Sequence, residues 1–165
     1  MGYYDTALVC KNGHMINSSM RKYSDTNDKY CTKCGAETVY KCSSCECEIR
    51  GEYHASGVVC LGGGIEEPPG YCHNCGKPYE WTRLRIEALN DLIELDEKLS
   101  KQQKDELKRS GIEISTENPK NKVAVLKIKS ILSKTGSSLK EEIKDAFAQV
   151  AAKTAVEIMK EQGML

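Results

Sequence analysis

The second half of the chain has apolar residues at intervals of three or four positions, a pattern that predicts amphipathic helices. The apolar positions of its first segment are Trp81, Leu84, Ala88, Leu92, Leu95 and Leu99. A second, polar helix is expected next, because Ser100 and Gln103 match a capping box at a helix N-terminus. This helix should run to about Arg109 and end at Gly111, since glycine commonly terminates helices.

A third helix is predicted to begin at Asn118 and Pro119, because proline is tolerated at the first helical position. Its apolar face would carry Val123, Leu126, Ile131 and Leu132. Gly136 would end it.

Ser138 and Glu141 match a second capping box and predict one long helix that ends near Gly163. Its apolar face would carry Leu139, Ile143, Phe147, Val150, Ala151, Thr154 and Ile158. Residues 81–165 are therefore expected to form a bundle of three to four helices.

Residues 1–80 have a different composition, rich in Cys, Gly, Tyr and turn residues. All nine cysteines lie between positions 10 and 75, and the change in composition falls near CGKPYEW, residues 75–81. Only 39% of the chain is apolar, with one Trp and one Phe, which is little for a single large core. We therefore expect two domains, residues 1–80 and 81–165. The first should need a source of stability besides a hydrophobic core.

That source is predicted by three Cys-x-x-Cys pairs, whose spacing lets two sulfurs face one zinc ion at about 2.3 Å. In two of the pairs a Gly follows directly and permits the tight turn. Cys-x3-His, with Gly13 inside it, supplies a fourth half-site. The eight predicted ligands are Cys10, His14, Cys31, Cys34, Cys42, Cys45, Cys72 and Cys75. They suit two tetrahedral Zn²⁺ ions, which would be structural because four protein ligands leave no position for water.

The intervals between half-sites favour one pairing. Sixteen residues separate His14 from Cys31, and twenty-six separate Cys45 from Cys72, enough in each case for strands and a turn. Only seven separate Cys34 from Cys42. We therefore expect one site from the first four ligands and another from the last four, joined by a short strand in GAETVYK. An interleaved cross-brace, or direct pairing of Cys31/Cys34 with Cys42/Cys45, remains open. The expected fold class is α+β, with a small N-terminal double zinc ribbon of short β-hairpins followed by the helices.

Four groups lie outside this scheme. Cys47 is expected to be a spare thiol, and Cys60 a small buried hydrophobe. His54 could act as a base beside a cysteine nucleophile, although a hydrogen-bonded or surface role is the simpler expectation. His73 lies between Cys72 and Cys75 of one Cys-x-x-Cys pair, and its side chain is expected to face outward.

The segments LVCKNGHMINSSMR, YCTKCGAETVYKC and EEPPGYCHNCGKPYEWT, followed by helices, are similar to those of a known family. Together they resemble an uncharacterised bacterial family, a domain of unknown function with zinc-ribbon character. The resemblance covers most of the chain and is most specific in its first eighty residues. It implies a small cytoplasmic protein with zinc-binding ribbons, and it implies no activity. It also implies a Gly directly after Cys45, where this chain has Glu46.

Charge and hydropathy exclude some classes of function. The formal net charge is zero, so no global field attracts nucleic acid or membrane. No run of about 18 apolar residues is present, and MGYYDTALVC lacks the features of a signal peptide. Nine cysteines without an export signal indicate metal ligands in a reducing compartment, so a cytoplasmic location is expected.

These features favour a non-enzymatic, zinc-stabilised interaction module whose helices bind a protein partner or self-associate. The first alternative is nucleic-acid binding through a basic helix that carries Lys120, Lys122, Lys127, Lys129 and Lys134. The second is a membrane-acting or assembly-forming effector that uses the amphipathic segment 138–162. No acid–base pair or nucleophile constellation in the sequence favours an enzyme.

Overall fold

The computed structural model describes residues 2–55, 57, 65–136 and 139–165. It is an α+β structure with short antiparallel strands in its first half and helices in its second. The chain divides into two compact units, Met1–Arg83 and Leu84–Leu165.

Five short strands organise the described part of the first unit. They are β1 (Tyr3–Thr6), β2 (Leu8–Cys10), β3 (Met15–Asn17), β4 (Thr38–Val39) and β5 (Arg50–His54). Strands β1 and β5 form an antiparallel ribbon, and β3, β2 and β4 form an antiparallel sheet in that order. Strand β4 lies within the GAETVYK segment, between Cys34 and Cys42, and it pairs with β2.

A small core lies under these strands. It consists of Ala7, Val9, Cys42, Ile49, Cys72, Tyr79 and Trp81. The rings of Tyr79 and Trp81 are stacked with centroids 4.7 Å apart, and the Trp81 indole N–H donates to the Pro69 carbonyl at 3.0 Å. Two of the core residues are predicted metal ligands, so the core and the metal sites are continuous.

The described residues contain five helices rather than three or four. They are α1 (Glu80–Leu95), α2 (Lys101–Ile114), α3 (Asn121–Lys134), α4 (Lys140–Val150) and α5 (Lys153–Glu161). Their buried side chains form a second core that includes Leu89, Ile93, Leu107, Ile114, Val125, Ile128, Leu132, Ile143, Phe147, Ala155 and Met159.

The predicted apolar face of the first helical segment is correct at Leu92 and Leu99, which pack in the helical core, and wrong at the other positions. Leu89 and Ile93 are completely buried, whereas Ala88 is exposed and Leu95 is 69% exposed. Apolar residues lie on two sides of this helix with the same three-or-four spacing, so periodicity alone does not select between them. Trp81, predicted to belong to the same stripe, packs in the core of the first unit instead.

The capping box of α2 is confirmed, but its predicted end is wrong. The Ser100 hydroxyl accepts the Gln103 N–H, and the Gln103 side chain accepts the Ser100 N–H. The helix continues through Gly111 to Ile114. A Cβ atom on Gly111 would lie 2.8 Å from Leu89 Cδ2, so this glycine permits close packing and does not stop the helix.

Helix α3 begins at Asn121, two residues after Pro119, the predicted first helical position. Before it, the Asn118 side chain accepts the Lys120 N–H at 2.8 Å and donates to the Glu113 carbonyl at 2.7 Å. Leu132 is buried as predicted, but Val123 is 54% exposed and Leu126 42% exposed. The buried face instead carries Asn121, Ala124, Val125, Ile128 and Leu132.

The single long helix predicted after Gly136 is two helices. Ala151 and Ala152 adopt extended conformations between α4 and α5, and the Ala152 N–H donates to the Ile114 carbonyl at 2.7 Å. The break shifts the buried face by one residue, so Ala155 is buried and the predicted Thr154 is exposed. The predicted cap at Ser138 lies outside the described residues.

Candidate metal centres

Three segments of the first unit fold into the same knuckle. In each, the first cysteine donates its N–H to the carbonyl five residues later, and its own carbonyl accepts the N–H four residues later. The distances of these hydrogen bonds lie between 2.8 and 2.9 Å at Cys31, Cys42 and Cys72. This repeated turn places the two cysteine sulfurs of each pair on one side of the backbone.

The residue after the second cysteine has a left-handed backbone conformation in all three knuckles. Its φ angle is +70° at Gly35, +70° at Gly76 and +58° at Glu46. Glu46 therefore adopts the backbone that glycine adopts in the other two knuckles, although its Cβ makes that conformation unfavourable. Glutamate at the position of the glycine therefore leaves the turn unchanged.

The fourth half-site lies in the hairpin between β2 and β3. The Cys10 N–H donates to the His14 carbonyl at 3.0 Å, and the Gly13 N–H donates to the Cys10 carbonyl at 2.8 Å. Gly13 has a φ of +86°, and a Cβ atom there would lie 2.7 Å from the Trp81 Cβ. This tight turn places the His14 ring beside the Cys10 sulfur.

The structure brings the half-sites together in the favoured pairing. One tetrad consists of Cys10, His14, Cys31 and Cys34, and the other of Cys42, Cys45, Cys72 and Cys75. In each tetrad the four ligand atoms lie within 4.8 Å of one another. The cross-brace and the direct pairing of the two central knuckles are not the arrangements that form.

The separations of the ligand atoms match the edges of a metal-centred tetrahedron. A tetrahedron with metal–sulfur bonds of about 2.3 Å has a sulfur–sulfur edge of about 3.8 Å. The measured Sγ–Sγ distances are 3.8 Å for Cys10–Cys34, 3.8 Å for Cys42–Cys75 and 3.7 Å for Cys45–Cys72. Both tetrads are therefore dimensioned for one ion each.

The imidazole of the first tetrad meets the same test. His14 Nδ1 lies 3.4 Å from the Cys10 sulfur and 3.5 Å from the Cys31 sulfur. With a metal–nitrogen bond of about 2.0 Å, the corresponding edge is about 3.5 Å. Nδ1 is thus the ring nitrogen that points into the first tetrad.

The family model described as "Uncharacterized protein conserved in bacteria (DUF2321)" matches residues 3–159. The chain belongs to this family. No curated protein matches the chain, and no solved structure does. The match spans both Cys/His tetrads, helices α1 to α4 and α5 as far as Met159, in agreement with the resemblance noted from the sequence.

Backbone N–H groups tune the sulfurs of both tetrads. The Ala36 N–H is the main reason why the pKa of Cys34 falls to about 6. At Cys72, burial opposes ionisation, but the N–H groups of Cys75 and Asn74 together with contacts from the Cys45 and Cys75 sulfurs outweigh it and lower the pKa to about 6. At Cys75 the Lys77 N–H favours the thiolate, but burial and the neighbouring sulfurs outweigh it and raise the pKa to about 11. Crowded thiols therefore share protons, which a divalent cation would displace.

Two asparagines donate to the metal-site sulfurs in corresponding positions. Asn12 lies two residues after Cys10, and its side-chain amide is 3.5 Å from the Cys34 sulfur. Asn74 lies two residues after Cys72, and its amide is 3.6 Å from the Cys45 sulfur. Each amide thus joins one half-site to a cysteine of its partner half-site. The shared Cys-x-Asn spacing in the sequence was a signal for this role, and the sequence interpretation missed it.

Cys47 lies outside both tetrads and beside a histidine. Its sulfur is 3.6 Å from His73 Nε2, and both side chains line a cleft of about 390 Å³ that Tyr4 and Arg50 also line. His54 is not the partner of Cys47, because it contacts the Ser19 hydroxyl at 3.0 Å and lies 3.9 Å from Asp5. Cys60 lies outside the described residues.

Within residues 2–55, 57, 65–136 and 139–165, no helix is both long enough and apolar enough to cross a membrane.

Proposed function

We propose that this DUF2321 protein is a non-enzymatic interaction module whose first unit is held folded by two structural zinc ions. The observation that carries this proposal is the pair of complete Cys/His tetrads with tetrahedral edge lengths. Four protein ligands per ion leave no open coordination position for a substrate, which is the arrangement of structural sites.

Zinc is proposed because three or four thiolates in a tetrahedral set favour a borderline-soft ion that has no redox chemistry of its own. The same thiolates must stay reduced to bind metal, so we also propose a cytoplasmic location. Each ion would supply folding free energy on the order of 10 kcal/mol, which the small core of the first unit needs.

The helical unit supports a protein partner or a second copy of this chain as the bound molecule. Ile112, Val123 and Leu126 are exposed apolar side chains on α2 and α3. A contiguous patch of exposed aliphatic side chains is typical of a surface that another protein covers, and we propose that these three residues form such a patch. The lysine-rich α3 favours nucleic acid less, because Lys127 pairs with Glu106 at 2.7 Å and Lys129 donates to the Gln162 carbonyl at 2.7 Å.

The membrane alternative is weakened by the break between α4 and α5. The apolar side chains that would enter a bilayer, including Ile143, Phe147 and Met159, are fully buried in the core of the helical unit. A membrane-bound form would have to open that core.

Metal analysis of two cysteine variants tests the zinc assignment. The wild-type protein is expected to contain two zinc ions per chain, and Cys45→Ser is expected to lose one because a ligand is removed. Cys47→Ser is the matched control, two residues away and outside the tetrad, and should retain both ions. Loss of zinc from the Cys47 variant, or no loss from the Cys45 variant, would contradict the ligand assignment.

The interaction role is tested on the zinc-loaded protein. Light scattering and affinity capture from the bacterial host should detect self-association or a protein partner. A Val123→Glu and Leu126→Glu double variant is expected to lose that association while it keeps two zinc ions. The matched control is Lys122→Glu, a charge change at a neighbouring exposed position of α3. Equal losses in both variants would contradict an apolar interface on this helix.

A further inference from the structure

The exposed large hydrophobic side chains differ in kind between the two units. In the described part of Met1–Arg83 they are six tyrosines and one aliphatic residue, Ile65. The tyrosines are Tyr3, Tyr4, Tyr23, Tyr30, Tyr40 and Tyr53. In Leu84–Leu165 the exposed large hydrophobic residues are aliphatic. The first unit therefore offers flat, half-exposed rings with a polar edge, and little aliphatic surface beside them.

Two of these tyrosines and one arginine form a cluster on the β1–β5 ribbon. Tyr4 and Tyr53 are cross-strand partners, with ring centroids 5.0 Å apart. The Arg50 guanidinium carbon lies 4.5 Å from the centre of the Tyr4 ring. About half of each tyrosine is exposed, so the rings have surface available for a further planar group.

A second cluster begins one residue further along the ribbon. The rings of Tyr3 and His54, which are also cross-strand partners, are 5.5 Å apart. The Lys22 ammonium lies 3.5 Å from His54 Nδ1 and 5.2 Å from the centre of the Tyr23 ring. Because successive side chains of a strand point to opposite faces, the two clusters lie on opposite faces of the ribbon.

The nearby carboxylates are engaged within the fold. The Asp5 side chain is buried and accepts the backbone N–H groups of Arg21 and Lys22, each at 3.1 Å. The Glu48 carboxylate accepts the Thr6 hydroxyl at 2.9 Å and pairs with Arg21. Within the described residues, Arg50 and Lys22 have no carboxylate partner. The ribbon therefore presents two cations beside its rings although the whole chain has zero net charge.

We propose that the β1–β5 ribbon binds single-stranded nucleic acid. Bases would stack on the rings of Tyr4 and Tyr53, which share one face of the ribbon, and Arg50 beside them would contact a phosphate. Stacking of bases on aromatic side chains beside a cationic path is the general mode of single-strand binding without sequence preference. A duplex keeps its bases stacked on one another, so it cannot use these rings.

A protein partner is the competing occupant of this surface, since tyrosine and arginine are also enriched at protein interfaces. The centre of such an interface is normally apolar and well packed, and the ribbon clusters contain no exposed aliphatic residue. This difference favours bases over a protein surface. The inference rests on the proposed function in one respect, because metal must hold the ribbon folded, and it adds a surface distinct from α2 and α3.

The test uses the full-length, zinc-loaded protein and labelled oligonucleotides of about 15 nucleotides, a length suited to small single-strand sites. Fluorescence anisotropy is expected to detect binding to oligo(dT) and oligo(U), and much weaker binding to a duplex of mixed sequence. With one phosphate contact, from Arg50, affinity should fall about two- to threefold between about 50 and 200 mM salt.

Variants of the ribbon locate the site. Tyr4→Ala and Tyr53→Ala should each weaken binding on the order of tenfold, because each removes a stacking ring. Tyr4→Phe and Tyr53→Phe should bind like the wild type, since the ring is kept. Arg50→Ala should weaken binding and reduce the salt dependence by about one phosphate contact. Tyr30→Ala is the matched control, because Tyr30 is equally exposed and also has a lysine over its ring, 5.6 Å away, but lies outside the ribbon.

Zinc content and Trp81 fluorescence are measured on every sample, so that a misfolded variant is recognised. If an alanine variant is misfolded, the site is tested with Arg50→Ala and with the phenylalanine variants, which keep the ring and should bind like the wild type. Two zinc ions without single-strand binding would overturn this inference and leave the proposed function intact. Equal binding to the duplex, or equal losses for Tyr4→Ala and Tyr30→Ala, would also overturn it. If Tyr4→Ala abolishes capture of a protein and leaves oligonucleotide binding unchanged, the ribbon is a protein interface instead. Fewer than two zinc ions in the wild type would overturn the zinc assignment itself.

Discussion

At the scale of single residues, Glu46 shows that a turn can hold a residue in a backbone conformation that the residue itself disfavours. The hydrogen bonds of its knuckle are those of the two knuckles that have glycine at this position. They hold Glu46 at a φ of +58°, where a side chain costs about 1–2 kcal/mol. The glutamate therefore keeps an unfavourable backbone conformation, because the turn that brings the two cysteines of this knuckle together requires it.

Replacing this residue should therefore stabilise the first unit. Glu46→Gly is expected to raise the free energy of unfolding by up to about 1 kcal/mol, after the greater flexibility of glycine in the unfolded chain is subtracted. Denaturant unfolding of the zinc-loaded protein, followed by the fluorescence of Trp81, measures the change.

Gly76→Ala is the matched control for that prediction. No atom lies within 4 Å of the Cβ that this change would add, so any loss comes from the backbone conformation alone. The variant should be destabilised by about 1 kcal/mol. If both variants left the stability unchanged, the left-handed conformation would not be the source of strain.

At the scale of elements, long-range contacts decide where the helices end and which sides they bury. Glu117, in the connection between α2 and α3, accepts the Thr154 N–H at 3.0 Å and the Thr154 hydroxyl. It thereby acts as an N-terminal cap for α5 from 37 residues away. Together with the hydrogen bond from Ala152 to Ile114, this contact separates α5 from α4.

The cap should make stability depend on pH. The hydrogen bonds from Thr154 hold the pKa of Glu117 below its usual range. A carboxyl with a lowered folded pKa contributes stability above its unfolded pKa, about 4.3, and loses it as pH falls through the folded value. Glu117→Gln should therefore lower the melting temperature of the helical signal at pH 7, and the difference from wild type should shrink below about pH 4.

The control for the cap is Glu97→Gln, at an exposed glutamate between α1 and α2. It should leave the melting temperature close to that of the wild type at both pH values. A difference between wild type and Glu117→Gln that stays constant from pH 7 to about pH 3 would contradict a role for the charged carboxylate.

Gly111 is a position where helix packing opposes helix propensity. Alanine in the middle of α2 would favour the helix by about 1 kcal/mol. Its Cβ would lie 2.8 Å from Leu89 Cδ2 and 3.4 Å from Phe147 Cε1, and overpacking costs about 1–3 kcal/mol. We expect Gly111→Ala to destabilise the helical unit, by about 1 kcal/mol, in thermal unfolding followed by circular dichroism.

Gly136→Ala tests whether that loss is specific to the contact. Nothing lies within 4 Å of the Cβ it would add, so its effect should be small. A stabilised Gly111→Ala variant would show that propensity outweighs packing at this position.

At the scale of the whole molecule, the two units have separate cores of different kinds. The first core contains the ligands Cys42 and Cys72 together with Trp81, the one tryptophan of the chain. The second is built from aliphatic side chains and Phe147, with no metal ligand among them. Metal removal should therefore affect the two units differently.

Chelation is expected to unfold the first unit and leave the helices folded. The fluorescence of Trp81 should shift to that of an exposed indole, because metal binding and folding are coupled in small metal-stabilised units. The helical circular dichroism should remain close to that of the zinc-loaded protein. Readdition of zinc should restore the fluorescence, and loss of the helical signal on chelation would contradict independent cores.

The sequence by itself determined the features that depend on neighbouring residues. The cysteine spacing placed all three knuckles, and a trailing glycine marked two of them, because a metal half-site and its turn are completed within about six residues. The capping box at Ser100 is equally local. The lengths of the intervals were enough to favour the pairing that the structure adopts.

Only the tertiary structure decided the features that depend on distant partners. Periodicity fits two faces of α1, and contact with the rest of the helical core selects Leu89 and Ile93. Gly111 is compatible with a helix end until Leu89 and Phe147 pack against it, and α5 separates from α4 where Glu117 and Ile114 bind it. The proximity of Cys47 to His73 and the aromatic clusters of the ribbon arise in the same way. In each case the deciding contact joins residues far apart in the sequence, which local spacing does not encode.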